Sequence, residues 1–205
     1  MDPQHAEIIY LVRHGETSVF ERGVIAGRSD VPLSATGQRQ MRAVAGWLAD
    51  KLLNIVYSSS LQRAALPAAE LAAARGLSYV VVPEFCEIDF GALEGKRYED
   101  VLKEDPEFLT RAAERGTDFT LPEGENVGAF RRRAQKAFYE IVCAGSLPAV
   151  VYAHGGSIRA MISAVTGTSF SDAQKLSLSP GGITILERRG ERTSLVTLNC
   201  VEHLR

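Results

Sequence analysis

Near the start of the chain, Ile8-Ile9-Tyr10-Leu11-Val12 gives way at once to Arg13-His14-Gly15-Glu16-Thr17. The first five residues are apolar and largely β-branched or aromatic, and the run is short, which reads as a strand buried on both faces of a sheet. His14 then stands just past the carboxyl end of that strand, where open α/β sheets bind their ligands. Gly15 permits a tight turn and a close approach to the backbone. Arg13 offers a permanently charged planar fork suited to phosphate or carboxylate oxygens. Taken alone, an Arg-His pair in a turn reads better as surface; the remainder of the chain argues for a site.

The same pattern recurs where Val150-Val151-Tyr152 leads into Ala153-His154-Gly155-Gly156. Two strands would deliver two histidines to one sheet edge, and the helix after His154 would present unpaired N–H groups and a positive dipole end to an anion. A third junction carries Arg63: a strand over residues 55–57, then Ser58-Ser59-Ser60 and an Ala/Leu-rich helix over residues 61–75. With all strand ends alike, the three junctions converge on a basic pocket.

The intervening segments fit this frame. Residues 15–33 carry Gly23, Gly27, Asp30 and Pro32 and form a long irregular stretch beside the reactive histidine, which suggests function. Ser34 is a helix N-cap, and the helix runs to about residue 51 with Met41, Val44, Ala45, Leu48 and Leu52 on one face. Pro67 predicts a kink in the next helix, Gly76 ends it, and residues 79–82 form a strand. Residues 83–124 break the strand-helix rhythm with turns at Gly91 and Gly95 and short helices over 98–104 and 107–115, as an insertion over the site would. Val127, Phe130, Ala134, Phe138 and Ile141 mark a long helix; a strand over 149–152, a helix over about 157–165 and strands over 183–187 and 194–198 complete the set. The expected fold is α/β and three-layered, with a mainly parallel central sheet and helices on both faces. It forms one domain over residues 1–205, with a cap insertion at about 83–124 over the strand C-terminal ends.

Composition narrows the function classes. Hydrophobic residues at 45% and charged residues at 23%, with no biased tract, describe an ordinary globular chain. A formal net charge of −2 advertises neither nucleic acid nor a membrane surface, so an anion site must be local. Cys86, Cys143 and Cys200 are widely separated and show no metal-ligand spacing, so free thiols, no metal and no cofactor are expected. No apolar stretch approaches the roughly 18 residues of a membrane span, and residues 1–7 lack the basic and apolar regions of a leader. A cytoplasmic protein is expected, with a homodimer left open.

Together these motifs resemble the histidine phosphatase, or phosphoglycerate mutase-like, superfamily. The matching pieces occur in family order: Arg13-His14-Gly15; Gly27-x-x-Asp30-x-Pro32-Leu33-Ser34-x-x-Gly37; Ser59-Ser60-Leu61-Gln62-Arg63-Ala64; Glu87-Ile88-Asp89-Phe90-Gly91-x-Leu93-Glu94-Gly95; Pro122-Glu123-Gly124-Glu125-Asn126; and His154-Gly155-Gly156. Each is weak alone, and the ordered set is specific. The resemblance implies that His14 attacks phosphorus and becomes a phosphohistidine, that Arg13, Arg63 and His154 hold the phosphoryl oxygens, and that Glu87 shuttles the proton. It places Thr17, Gly27 and Gly155 beside the phosphate, and Phe20, Arg28, Phe90, Lys96 and Arg97 as candidates for reading the leaving group.

Without the resemblance, Glu87 has no claim over Glu84, Asp89 or Glu94. Arg131-Arg132-Arg133 reads as a solvated helix face, His5 and His203 as inert, and Cys86 receives no role. The chain departs from the family pattern at Phe20, where many members have asparagine, and at Phe90, where mutases have tyrosine; the mutase Arg-Arg pair has no counterpart between Gly95 and Pro122. The short cap and the C-terminal Leu198-Asn199-x-x-x-His203-Leu204 are similar to the small phosphatase branches, especially α-ribazole phosphatases of cobalamin nucleotide-loop assembly, and also suit metal-independent phosphoserine phosphatases. A phosphomonoesterase acting on a small phosphorylated metabolite leads. A cofactor-dependent phosphoglycerate mutase and a non-catalytic phosphate-binding module are the alternatives.

Overall fold

The computed structural model describes residues 6–205; His5 lies outside them. Six strands, β1 (Glu7–Arg13), β2 (Ile55–Ser58), β3 (Ser78–Val81), β4 (Ala149–Ala153), β5 (Ile183–Arg189) and β6 (Arg192–Cys200), form one sheet in the order β3-β2-β4-β1-β5-β6. The pairings β3-β2, β2-β4 and β4-β1 are parallel, whereas β5 runs antiparallel to β1 and β6 to β5.

Side chains on a strand alternate between faces, so a strand apolar at every position must be covered on both. In β1, Ile9 and Leu11 enter one apolar cluster while Tyr10 and Val12 enter another on the opposite face. The second face is covered by α1 (Ala35–Leu48) and α2 (Gln62–Arg75), through Met41, Val44, Leu48, Ala64, Ala68 and Leu71. The first is covered by α5 (Val127–Cys143) and α6 (Gly155–Thr166), through Phe138, Ile141, Ile158, Met161 and Ile162. Between β3 and α5 lie α3 (Tyr98–Glu104), α4 (Phe108–Arg115) and short 3-10 turns. Their Leu93, Val101, Phe108 and Phe119 make a third cluster that leans on Phe130, Ala134 and Ala160. No helix among the described residues is long and apolar enough to cross a membrane.

Three boundaries differ from the sequence reading. First, α1 ends at Leu48, a turn early, because the chain turns through Asp50 and Lys51 and buries Leu53 instead; Leu52 is 70% exposed. Second, α2 starts at Gln62, with Leu61 extended as its N-cap, and then runs as expected across the buried Pro67 to Arg75, because packing of its alanine-rich face on the sheet carries the helix past one missing hydrogen bond. Third, α6 begins directly after His154 rather than at residue 157, since the Ser157 hydroxyl accepts the His154 N–H at 3.1 Å and closes the first turn over the two glycines. Leu11→Ala is expected to cost about 2–5 kcal/mol, as truncation in a packed core does. Leu52→Ala should stay within about 0.5 kcal/mol. Urea unfolding midpoints at constant slope check both, and similar losses would contradict this placement.

Candidate active site

Register builds the centre of the site. Arg13 pairs with Ala153 across the parallel β1-β4 ladder, so the next residues, His14 and His154, leave neighbouring strands side by side. Strands lie about 4.8 Å apart, and the two rings lie 5.0 Å apart between centroids. The His14 N–H donates to the Ala153 carbonyl at 3.0 Å, extending the ladder one step past the strand end. His14 Nδ1 lies 2.6 Å from the Gly15 carbonyl. A carbonyl only accepts, so Nδ1 carries the proton and the lone pair of the neutral ring resides on Nε2.

Arg63, in the first turn of α2, is 1% exposed. Its Nε donates to His154 Nδ1 at 3.3 Å, Nη1 to the Ser29 carbonyl at 2.8 Å and Nη2 to the Gly27 carbonyl at 2.6 Å. Since a guanidinium cannot accept, His154 Nδ1 is the acceptor and its Nε2–H faces the Ser59 hydroxyl at 2.7 Å. The loop that receives Arg63 is itself held by Glu94. That carboxylate accepts the N–H groups of Gly27, Arg28, Ser29 and Phe90 and the Ser29 hydroxyl. Burial opposes ionisation of Glu94, but these hydrogen bonds outweigh it and hold its pKa below the usual carboxyl range.

Glu87 reaches the start of α6 from the loop after β3. Its Oε2 accepts the Gly156 N–H at the start of α6 at 2.8 Å, and its Oε1 accepts its own Ile88 N–H at 3.0 Å. Any side chain at position 156 would displace it, because a Cβ there would lie 2.2 Å from Oε1. Arg133 donates to the carbonyls of Glu84, Cys86 and Glu87 and pairs with Glu125 at 2.7 Å. It therefore belongs to the scaffold of Glu87 and not to a solvated face. Cys86 is buried with its Sγ 3.1 Å from the Ser60 hydroxyl. His203 Nε2 lies 2.9 Å from the Gly181 carbonyl, and the Gly181 N–H in turn donates to the Arg13 and His14 carbonyls, so the C-terminal histidine braces the backbone of the site.

The structure thus brings Arg13, His14, Arg63, Glu87, His154 and Gly155 together, with Gly27 beside Arg63 and a buried Thr17 paired with Leu33 in a short bridge. Phe90 packs over Gly27, where a Cβ would meet its ring. Phe20 and the Arg28 side chain are exposed on the irregular loop. Lys96 pairs with Glu104 at 3.0 Å and Arg97 with Glu99 at 2.7 Å, which ties both cations to α3. Glu94 and Arg133 escaped sequence reasoning because their partners lie up to 67 residues away. Arg159 was also missed, although its position one turn along the helix from Gly155 was the available signal.

Burial above all, and then the Arg63 guanidinium, push the His14 pKa down to about 3. Burial, the His14 ring and Arg63 hold His154 well below the ordinary histidine range. Both rings are neutral near pH 7, which suits a nitrogen nucleophile. Among the described residues, no group of three or more His, Cys, Asp or Glu side chains is placed to hold a metal ion; the cations at this site are arginines.

Two expectations follow from these charges. In the unfolded chain both histidines protonate below about pH 6.5, whereas in the folded chain they resist it. The unfolded state therefore binds more protons, and each ring removes up to about 1.4 kcal/mol of stability per pH unit as pH falls below that value. His14→Gln should show a shallower loss of stability between pH 7 and 5 than the wild type in urea titrations; equal slopes would refute the buried neutral ring. Glu94→Gln turns one acceptor into a donor facing donors and should cost about 1–3 kcal/mol, with faster amide exchange at residues 27–29.

Residues 9–201 match the histidine phosphatase superfamily (branch 1). Phosphoserine phosphatase 1 of Hydrogenobacter thermophilus is 29% identical over 198 residues, covering 96% of this chain and 93% of that one. The probable phosphoglycerate mutase GpmB of Enterobacter sp. (strain 638) is 35% identical over 162 residues, covering 78% of this chain and 74% of that one. Among solved structures, the α-ribazole phosphatase of Shigella flexneri superposes with a TM-score of 0.83 at 24% identity, covering 94% of this chain and 96% of that one. At that identity the likeness speaks for the fold alone. The sequence match, by contrast, runs through every junction that builds the site, and the chain belongs to the histidine phosphatase superfamily, branch 1.

Proposed function

We propose that this phosphatase hydrolyses a small phosphorylated metabolite through a phosphohistidine on Nε2 of His14, without a metal. The observation that carries the reading is the state of His14: neutral, with its proton fixed on Nδ1 by the Gly15 carbonyl, 5.0 Å from a second neutral ring and within the field of Arg63 and Arg13. Nε2 attacks phosphorus in line, forming the N–P bond as the P–O ester bond breaks. The Glu87 carboxylate relays the proton of the ester's monoanion to the leaving oxygen. It then takes a proton from the water that attacks the phosphohistidine, releasing orthophosphate and restoring His14. Arg13, Arg63, His154, its Nε2–H turning from the Ser59 hydroxyl, and the Gly155 N–H at the start of α6 stabilise the phosphoryl oxygens, and such positioning and charge supply most of what phosphoryl transfer asks of a protein.

The leaving group is read by residues 83–124, acting as a short cap, together with the irregular loop. Phe20, Arg28 and Phe90 are available for this, while the ion pairs of Lys96 and Arg97 direct those two toward α3. The relatives suggest α-ribazole 5′-phosphate and phosphoserine as the substrates to try. The match to GpmB keeps a mutase as the second reading. The three cysteines are free in the structure, in keeping with a reducing compartment.

Phosphate release in the presence of EDTA tests the reading with α-ribazole 5′-phosphate, phosphoserine, 3-phosphoglycerate and p-nitrophenyl phosphate. Wild type should turn over, and His14→Ala should not. Glu87→Gln should lose about 10²–10⁴-fold on the alkyl esters. It should lose less on p-nitrophenyl phosphate, whose leaving group needs no proton, and should show a burst of nitrophenol as phosphohistidine accumulates. Conversion of 3-phosphoglycerate to 2-phosphoglycerate without phosphate release would favour the mutase instead.

A further inference from the structure

The mechanism above leaves Arg159 unused, yet its guanidinium lies inside the site. The residue sits in the second turn of α6, and side chains on a helix lean toward its N-terminus. Arg159 accordingly folds back over Gly155: a Cβ on that glycine would lie 3.0 Å from Arg159 Nη1 and 3.7 Å from both Cζ and Nε of Arg13. Two guanidinium groups thus flank one glycine, with room between them that any side chain at position 155 would take.

Their hydrogen bonds leave donors over. Arg159 uses Nε and Nη2 on one acceptor, the Leu176 carbonyl, at 3.1 and 2.9 Å, and Nη1 has no hydrogen-bond acceptor among the described residues. Arg13 uses Nη1 on the Leu178 carbonyl, and its buried Nε has no partner. Buried donors without acceptors are rare because their desolvation is uncompensated. The carboxylate whose charge reaches Arg159 is Glu87, which Arg13 and Arg63 also feel. Both Glu87 oxygens already accept backbone N–H groups. Asp30 and Glu94 act on Arg63 as well, whereas Arg13 and Arg159 have Glu87 alone between them, so an excess of about one positive charge stands at the mouth of the Gly155 turn, which a phosphoryl oxygen would balance.

We propose that Arg159 is a third phosphoryl-binding arginine, its Nη1 sharing with Arg13 an oxygen of the transferring group above Gly155, and so acts on every phosphomonoester alike rather than on one leaving group. The inference rests on the phosphatase reading for its catalytic consequence, but not for its binding consequence. The bond to Leu176 sets the plane of the guanidinium and so fixes where Nη1 points. Lysine would retain the charge and lose that anchor.

The test uses the full chain as wild type, Arg159→Lys and Arg159→Ala. Orthophosphate binding is measured by calorimetry, and kcat/KM on p-nitrophenyl phosphate and on 3-phosphoglycerate. Loss of one charge-assisted hydrogen bond predicts orthophosphate binding weaker by about 10-fold or more in Arg159→Ala. A comparable drop in kcat/KM is expected on both esters, with a smaller loss in Arg159→Lys and partial recovery of Arg159→Ala by added guanidinium ion. Unchanged orthophosphate affinity, or a loss confined to 3-phosphoglycerate, would overturn the proposal: the first makes Arg159 a clamp for residues 176–178 only, the second a reader of the substrate carboxylate. Should Arg159→Ala fail to fold, Arg159→Lys carries the same comparison. A wild type that binds orthophosphate through Arg159 but hydrolyses no ester would sink the phosphatase reading and leave this one standing.

Discussion

A fully buried guanidinium with no carboxylate in bridging contact is the constraint around which this molecule is arranged. Taking a cation out of water costs several kcal/mol unless polar groups replace its hydration. Arg63 meets that cost with the carbonyls of Gly27 and Ser29 and with the imidazole of His154. Carbonyls can be aimed at one point only if their loop is held from the other side, and Glu94 does so through four N–H groups and a hydroxyl. The irregular segment that follows His14 is therefore a scaffold with its dipoles directed inward. Its order derives from one arginine and one glutamate whose charges never touch.

Burial decides the protonation of both histidines, and the same cation reinforces it. Burial alone would favour neutral rings, and the arginine field adds to it, so the nucleophile is unprotonated without a general base to activate it. An anion would offset part of this: under the proposed mechanism a phosphoryl group between the arginines cancels the field that adds to burial. The site is thus poised for its ligand through uncompensated positive charge, and the folded protein carries that strain in the form of sensitivity to acid. Catalytic readiness and acid stability are set against each other by the same groups, as expected where a charged site is preorganised.

Local signals made the frame legible. Five consecutive apolar residues ending at Val12 could only be a strand covered on both sides, and the matching run ending at Tyr152 placed the second histidine beside the first. Ser34 announced α1 because a cap acts within three residues, and the apolar face from Val127 to Ile141 announced α5. Order of motifs, not any single motif, singled out Glu87 from its acidic neighbours. What stayed hidden depends on contacts across long sequence separation. Glu94 meets residues 27–29, and Arg133 meets Glu84 to Glu87, partners that no periodicity can reveal. Arg133 looked solvated because it stands in a run of three arginines on a helix whose apolar face was already assigned. Leu52 erred the other way: helical periodicity cannot tell where a helix stops when the next residue, Leu53, is equally able to fill the core.

Glu87 shows how the two kinds of information combine. Its carboxylate rests on the Gly156 N–H, its main-chain carbonyl is held by Arg133, and the absence of a side chain at position 156 leaves space for it. The supports come from two elements: Gly156 in the first turn of α6 gives both the N–H and the space, and Arg133 on α5 holds the carbonyl. A carboxylate moved by 1 Å can no longer exchange a proton with a leaving oxygen, so an acid on a loop needs supports on rigid elements. The Arg-Glu pair between Arg133 and Glu125 extends that support into the loop preceding α5, since Glu125 also accepts the Asp89 N–H. Asp89 is thereby tied to α5, the helix that holds the Glu87 carbonyl, so under the proposed mechanism a ligand on residues 83–124 would be felt at the carboxylate that moves the proton.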